Sequence, residues 1–109
     1  MREPTFLILT ALADRPRHGY GIILDAERSS GGRVRLRAGT LYAALDRLRA
    51  EGLVEVDRQE VVDGRTRRYY RITQNGAAAL AAEVERLRQR ADIAARRLAA
   101  APFPHGSPA

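Results

Sequence analysis

Apolar positions along the chain fall into helix-like spacings at both ends and strand-like alternations in the middle. Residues 5–13 are nearly continuously apolar through Phe6, Leu7, Ile8, Leu9 and Leu12, which predicts a helix buried on most sides. Pro4 suits the first position of that helix, where a missing N–H is harmless. Asp14, Arg15 and Pro16 end it. A second helix is predicted from about His18 to Arg28, with Ile22, Ile23 and Ala26 as its stripe. Ser29, Ser30, Gly31 and Gly32 break it. Arg33, Val34, Arg35 and Leu36 alternate charged with apolar, the pattern of a short half-buried strand.

The stretch RAGTLYAALDRLRAEGLVEV, residues 37–56, reads as a helix running into a strand. Leu41, Leu45 and Leu48 recur at i, i+4 and i+7 with Ala44 between them, so one face must lie on the first two helices. Thr40, Tyr42, Ala43, Asp46 and Arg47 fall off that face, and Gly52 stops the helix. A helix held by leucines while presenting Thr, Tyr and Arg outward has the pattern of a recognition helix. Leu53 to Val62 and Thr66 to Thr73 then read as two strands joined by Asp63-Gly64, a hairpin turn signal. Arg65, Arg67, Arg68 and Arg71 crowd the tip and return arm. Tyr70 and Ile72 share the opposite strand face from Tyr69 and Arg71.

Thr73 is placed to cap a last helix, from about Gln74 to Ala100. Ala77, Leu80, Val84, Leu87, Ala91, Ala94 and Leu98 step by three and four without a break, the spacing of a heptad seam. At 1.5 Å per residue such a helix spans roughly 40 Å, too far for one small domain to cover. Part of the seam is therefore expected to meet another chain. The predicted fold is mainly α with a small β hairpin. It comprises a winged helix over residues 1–73, a dimerisation helix over 74–101 and a disordered Pro/Gly-containing tail over 102–109.

Composition narrows the function classes. No apolar run approaches the ~20 residues needed to span a bilayer, no secretion signal is evident, and with no cysteine there is no disulfide or thiolate chemistry. A cytoplasmic address without membrane association is the resulting expectation. All 19 basic residues are arginine and the net charge is +6, with pI near 10.9. Arginine's planar fork suits phosphates; arginine without lysine, beside 19 alanines, also fits a GC-rich coding sequence. Distribution is the better guide. Ten arginines stand against six acids between residues 33 and 71, and the excess gathers at the hairpin, where an anionic ligand would relieve the repulsion. Arg37, at the entry to the third helix, is better placed for a phosphate than Arg33 or Arg35. No nucleophile–base pair, metal-ligand spacing or phosphate-cradling glycine loop is present, so no enzyme activity, metal or cofactor is expected. His18 lacks a second ligand at metal spacing and reads as structural or as a phosphate contact at a helix N-terminus.

The ordered set HGYGI, GTLYAALDRLRAEGLV, a hairpin ending RRYYRIT, then NG and one long helix resembles the PadR family of winged helix-turn-helix transcriptional regulators, over residues 4 to about 100. The single C-terminal helix is similar to the short-chain subfamily. The resemblance implies a homodimer that places the third helix of each subunit in successive major grooves of double-stranded DNA, with the wing on flanking backbone. Thr40, Tyr42, Ala43 and Arg47 would then face DNA, and Arg65, Arg67 and Arg68 would reach phosphates. Tyr42 would be a groove or phosphate contact; the alternative is that it only caps the edge of the core. The HGY segment would open the second helix, with Tyr20 packed between helices. Leu80, Val84, Leu87, Ala91, Ala94 and Leu98 would form the dimer seam. Repression from an inverted-repeat operator is the leading expectation, with a small-molecule effector left open. A protein-interaction module without sequence-specific DNA binding is the alternative. Some relatives hold flat aromatic drugs between tryptophans of the dimer helices; this chain has no tryptophan, so a pocket of that type is not expected.

Overall fold

The computed structural model describes residues 1–102; the tail expected from residue 102 onward otherwise lies outside the described residues. The order of elements is α1 (Glu3–Leu12), β1 (Arg17–His18), α2 (Gly19–Ser29), α3 (Ala38–Ala50), β2 (Val54–Val62), β3 (Arg65–Ile72) and α4 (Gln74–Ala100). The three strands form one antiparallel sheet in the order β1-β3-β2. A bundle of α1–α3 packed on this small sheet, with β2 and β3 extended as a hairpin, is a winged helix.

The core follows the apolar periodicities. α1 contributes Leu7, Ile8, Leu9, Ala11 and Leu12, α2 contributes Ile22 and Ala26, and α3 contributes Leu41, Ala44, Leu45 and Leu48. Val54 and Tyr70 close it from the sheet. Pro4 lies in the first turn of α1. The hairpin turn places Asp63 at φ 52° and Gly64 at φ 75°, the paired left-handed conformations that let two strands keep their twist through a two-residue loop.

One predicted strand is absent. Among the described residues Arg33–Leu36 pairs with no strand, and it forms no regular element, although Leu36 is buried as the alternation requires. Alternation reports which side chains point inward, but a strand also needs a backbone partner. The edge of β3 is taken instead by Arg17 and His18, opposite Tyr70 and Tyr69. Arg17 is fixed there by donating from Nε to the Ala11 carbonyl at 2.6 Å and by pairing with Asp25 at 3.5 Å.

Thr73 joins the winged domain to α4. Its hydroxyl donates to the Gly52 carbonyl at 2.6 Å and accepts from the Gly76 N–H at 3.0 Å, capping α4 as its position predicts. Within α4 only Gly76, Leu80 and Glu83 are buried. Glu83 receives Arg86 Nε at 2.9 Å and lies 3.6 Å from the Met1 amine. Hydrogen bonding from Arg86 is the main reason its carboxyl sits below the usual glutamate range. Leu80, assigned to the dimer seam on spacing alone, belongs to the chain's own core at 9% exposure. Beyond Arg86 every described residue of α4 is exposed, and the molecule measures 63 × 30 × 21 Å.

Candidate nucleic-acid interface

The exposed side of α3 follows from its buried side. At 3.6 residues per turn, the leucines that face the core place Gly39, Ala43, Asp46 and Ala50 opposite, with Tyr42 and Arg49 on one flank and Thr40 and Arg47 on the other. Among the described residues no side chain caps the helix start; its N-cap residue Arg37 is extended, at φ −80° and ψ 151°, and exposed. The first-turn N–H groups of α3 therefore carry the positive end of the helix dipole without a side-chain acceptor.

Tyr42 leans from α3 onto the start of α2. A Cβ placed on Gly19 would lie 2.4 Å from Tyr42 Oη and 2.9 Å from its Cζ, so the ring occupies space that only a glycine leaves. The tyrosine is still 46% exposed. Packing and accessibility, alternatives in the sequence, coexist: one side of the ring rests on α2 and the rest opens into a cleft.

That cleft, about 610 Å³, has His18, Gly19, Tyr20 and Tyr42 along one wall and Val62, Asp63, Arg65, Thr66, Arg67 and Arg68 along the other. Arg65, Arg67 and Arg68 are all exposed. Arg65 and Arg67 share the strand face of Tyr69, whereas Arg68 continues the face of Tyr70, because side chains alternate along β3. The arm thus presents guanidinium groups from both faces.

The base of the wing is braced. A bulge between Val56 and Arg58 shifts the register of β2 on β3. Arg58 then stacks on the Tyr69 ring, 4.0 Å from its centroid, while pairing with Asp57 at 2.8 Å and Glu60 at 2.9 Å. His18 meets the same ring edge-on, with centroids 5.3 Å apart, and its Nδ1 accepts from the Gly21 N–H at 3.2 Å. His18 is thus the N-cap of α2, the structural member of its two sequence readings. Partial burial, reinforced by Arg67, lowers its pKa below the usual histidine value, which favours the neutral ring that an accepting Nδ1 requires.

The structure gathers Tyr42, Arg65, Arg67 and Arg68 around one cleft, with Arg37, Thr40 and Ala43 on the exposed surface of the same helix start. Arg47 is elsewhere. It donates from Nη2 to Thr5 Oγ1 at 2.9 Å and lies 3.7 Å from Glu51, on the flank facing α1, because five residues beyond Tyr42 is not a whole number of turns. Tyr20, expected between helices, is 58% exposed on the cleft wall; Ile22 and Ala26 take the inward positions of α2 instead. Two features escaped sequence reasoning. Gly19 seats Tyr42, which its place between His18 and Tyr20 hints at only as a lack of bulk, and the Arg58–Tyr69–His18 stack depends on a bulge that the alternation does not encode. Among the described residues no cluster of His, Cys, Asp or Glu could hold a metal ion, and no helix is long and apolar enough to cross a membrane.

Along α4, Val84 is half-buried, whereas Leu87, Ala91, Ala94 and Leu98 are exposed on one face. Leu98 is 51% exposed. Ile93, off this seam, is exposed as well and shares a shallow hollow with Ala94, Leu98 and the arginines Arg90 and Arg97.

The arrangement has counterparts. Transcriptional regulator Rv3488 of Mycobacterium tuberculosis is 47% identical over 73 residues, covering 67% of this chain and 64% of that protein. A PadR family transcription regulator from hypervirulent Clostridium difficile R20291 superposes with a TM-score of 0.73 at 23% identity, covering 89% of this chain and 99% of that one. Bacillus subtilis PadR, crystallised in complex with operator DNA, superposes with a TM-score of 0.69 at 19% identity over 99% of this chain and 54% of that chain; at such identities both structures speak for the fold alone. The model of the transcriptional regulator PadR-like family matches residues 8–82, from the core of α1 through the wing into α4. With the winged helix and the sequence relative in agreement, the chain belongs to the PadR-like family of transcriptional regulators.

Proposed function

We propose that this regulator is a homodimeric repressor in which each subunit inserts α3 into a major groove of an inverted-repeat operator. The observation that carries the reading is the cleft between Tyr42 and the arm Arg65–Arg68, where cationic side chains held in no ion pair among the described residues stand opposite an exposed tyrosine of α3. A DNA backbone running through the cleft would meet the wing arginines on one side and the Tyr42 hydroxyl on the other, contacts that fix register. Arg37 and Thr40 would bracket the helix start and Ala43 would lie against base edges. Arg47 would reach the opposite strand only by releasing Thr5. The Bacillus subtilis relative's operator complex makes DNA the natural partner for the same fold here.

In this reading residues 1–73 bind DNA and 74–101 join subunits. Val84, Leu87, Ala91, Ala94 and Leu98 would pack on a second copy, since an apolar seam left in water by its own domain gains stability when covered. Two α3 helices would then stand about one DNA turn apart, ~34 Å, and bound repressor would block polymerase. A small molecule entering the seam would change that separation and release the operator.

Fluorescence anisotropy on duplexes tiled from the protein's own upstream region, against shuffled DNA at two salt concentrations, tests the core of the proposal. Tight sequence-dependent binding that weakens steeply with salt is expected. Equal, weak binding to every tile and to shuffled DNA would favour the protein-interaction alternative. Tyr42→Phe, which keeps the ring on Gly19, should lower operator affinity about tenfold through loss of one hydrogen bond to a charged phosphate, with an unchanged melting temperature. Affinity equal to wild type would remove the hydroxyl from the contacts. Leu87→Glu should convert the dimer to monomer in sedimentation, and a surviving dimer would refute the seam.

A further inference from the structure

The acids around the cleft and on α3 are mostly occupied. Between residues 33 and 71, Glu51 pairs with Arg47, Glu55 with Arg71, Asp57 with Arg58 and Arg71, and Glu60 with Arg58. Asp63 occupies the hairpin turn at φ 52°. Asp46 alone is left with neither a turn to make nor an ion pair among the described residues, although the chain carries a net charge of +6. It is exposed, and it stands in the middle of the arc of α3 that faces away from the core. Its neighbours on that arc are Gly39, Ala43 and Ala50, none carrying more than a methyl group. A short carboxylate flanked by such residues is the most protruding polar group on this strip, and nothing beside it would hold the helix away from a groove floor.

A carboxylate facing DNA is costly unless it finds a donor, because phosphates and most base edges repel it. In the major groove guanine presents two acceptors and thymine one acceptor beside a methyl group, whereas cytosine presents the N4 amino donor. Adenine sets its N6 donor beside the N7 acceptor, a pair that suits an amide better than an acceptor-only group. We propose that Asp46 is a specificity residue that accepts a hydrogen bond from a cytosine N4 amino group in each half-site and penalises every other base at that pair. This rests on the DNA-binding reading above and adds which chemistry selects the sequence. Asp46 would lower affinity for DNA in general and so sharpen the operator's advantage, discrimination achieved partly by repulsion.

The test selects binding sites from a randomised duplex pool with the wild-type protein, Asp46→Ala and Asp46→Asn, and measures the selected duplexes by anisotropy. Wild type should select cytosine at one pair of each half-site, with replacement of that base costing about tenfold in affinity. Asp46→Ala should lose the preference there alone, keep the others, and bind shuffled DNA severalfold more tightly. Asp46→Asn should shift the preferred base toward adenine, which an amide contacts through N6 and N7. Identical selected sequences for all three proteins would overturn the assignment while leaving the DNA-binding reading intact. A wild-type protein that selects no sequence would overturn both.

Discussion

Gly76→Ala should lower the melting temperature by roughly 10 °C, although alanine is the better helix former. On intrinsic preference the substitution stabilises a helix by about 1 kcal/mol. Here a Cβ would lie 2.0 Å from the Leu53 carbonyl oxygen and 2.8 Å from Ile72 Cγ1. The carbonyl cannot turn aside, because it accepts the Thr73 N–H at 3.0 Å, in the same junction where the Thr73 hydroxyl holds Gly52 and Gly76. The start of α4 would have to withdraw from β2 and β3, an overpacking cost of about 3 kcal/mol or more, leaving a net loss of about 2 kcal/mol. Gly39→Ala is the control, since it also lies in the first turn of a helix but has nothing within 4 Å of its Cβ position. Thermal unfolding of the two variants should move in opposite directions; a Gly76→Ala protein as stable as wild type would show that the junction yields.

Replacing Arg65, Arg67 and Arg68 together by alanine is expected to have the largest effect on DNA. Among the described residues none of the three is held in an ion pair, unlike Arg58 and Arg71 lower in the same hairpin. Their charge is therefore available to an anionic partner, and removing it breaks nothing in the fold. Each neutralised phosphate contributes about 0.9 to the slope of log K against log salt. The triple variant should lose roughly 3 from that slope per subunit, with affinity for operator and shuffled DNA falling in parallel by orders of magnitude at moderate salt. Its melting temperature should equal or exceed that of wild type, because three neighbouring like charges are gone. An unchanged slope would place the backbone elsewhere than the cleft. A loss confined to the operator would mean that the wing reads bases.

The apolar periodicities were sufficient to place four helices and the hairpin, because burial of a stripe and the chemistry of capping and turning are local. Thr73 as cap, Asp63-Gly64 as turn and the leucine face of α3 are all visible as spacings in the chain. The same locality explains the failures. The strand read at Arg33–Leu36 had the right alternation but no partner, since pairing is decided by which segment reaches the edge of β3. Leu80 and Leu87 are equivalent within a heptad pattern, yet one lies over the winged domain and the other beyond it, so only the path of α4 across the core separates a buried leucine from an exposed one.

What the chain determined unaided is its kind: a winged helix with an arginine-rich hairpin and an overlong amphipathic helix, carried by motifs whose order and spacing survive without coordinates. What the tertiary structure decided is which side chains share a surface. Tyr42 and Arg68 are distant in sequence and meet across one cleft, Arg47 turns away to Thr5, and Gly19 and Gly76 matter through atoms of residues far along the chain. Local sequence specifies helices and turns through nearest-neighbour geometry; the site depends on close approaches between elements, and those exist only once the core has set the elements' positions.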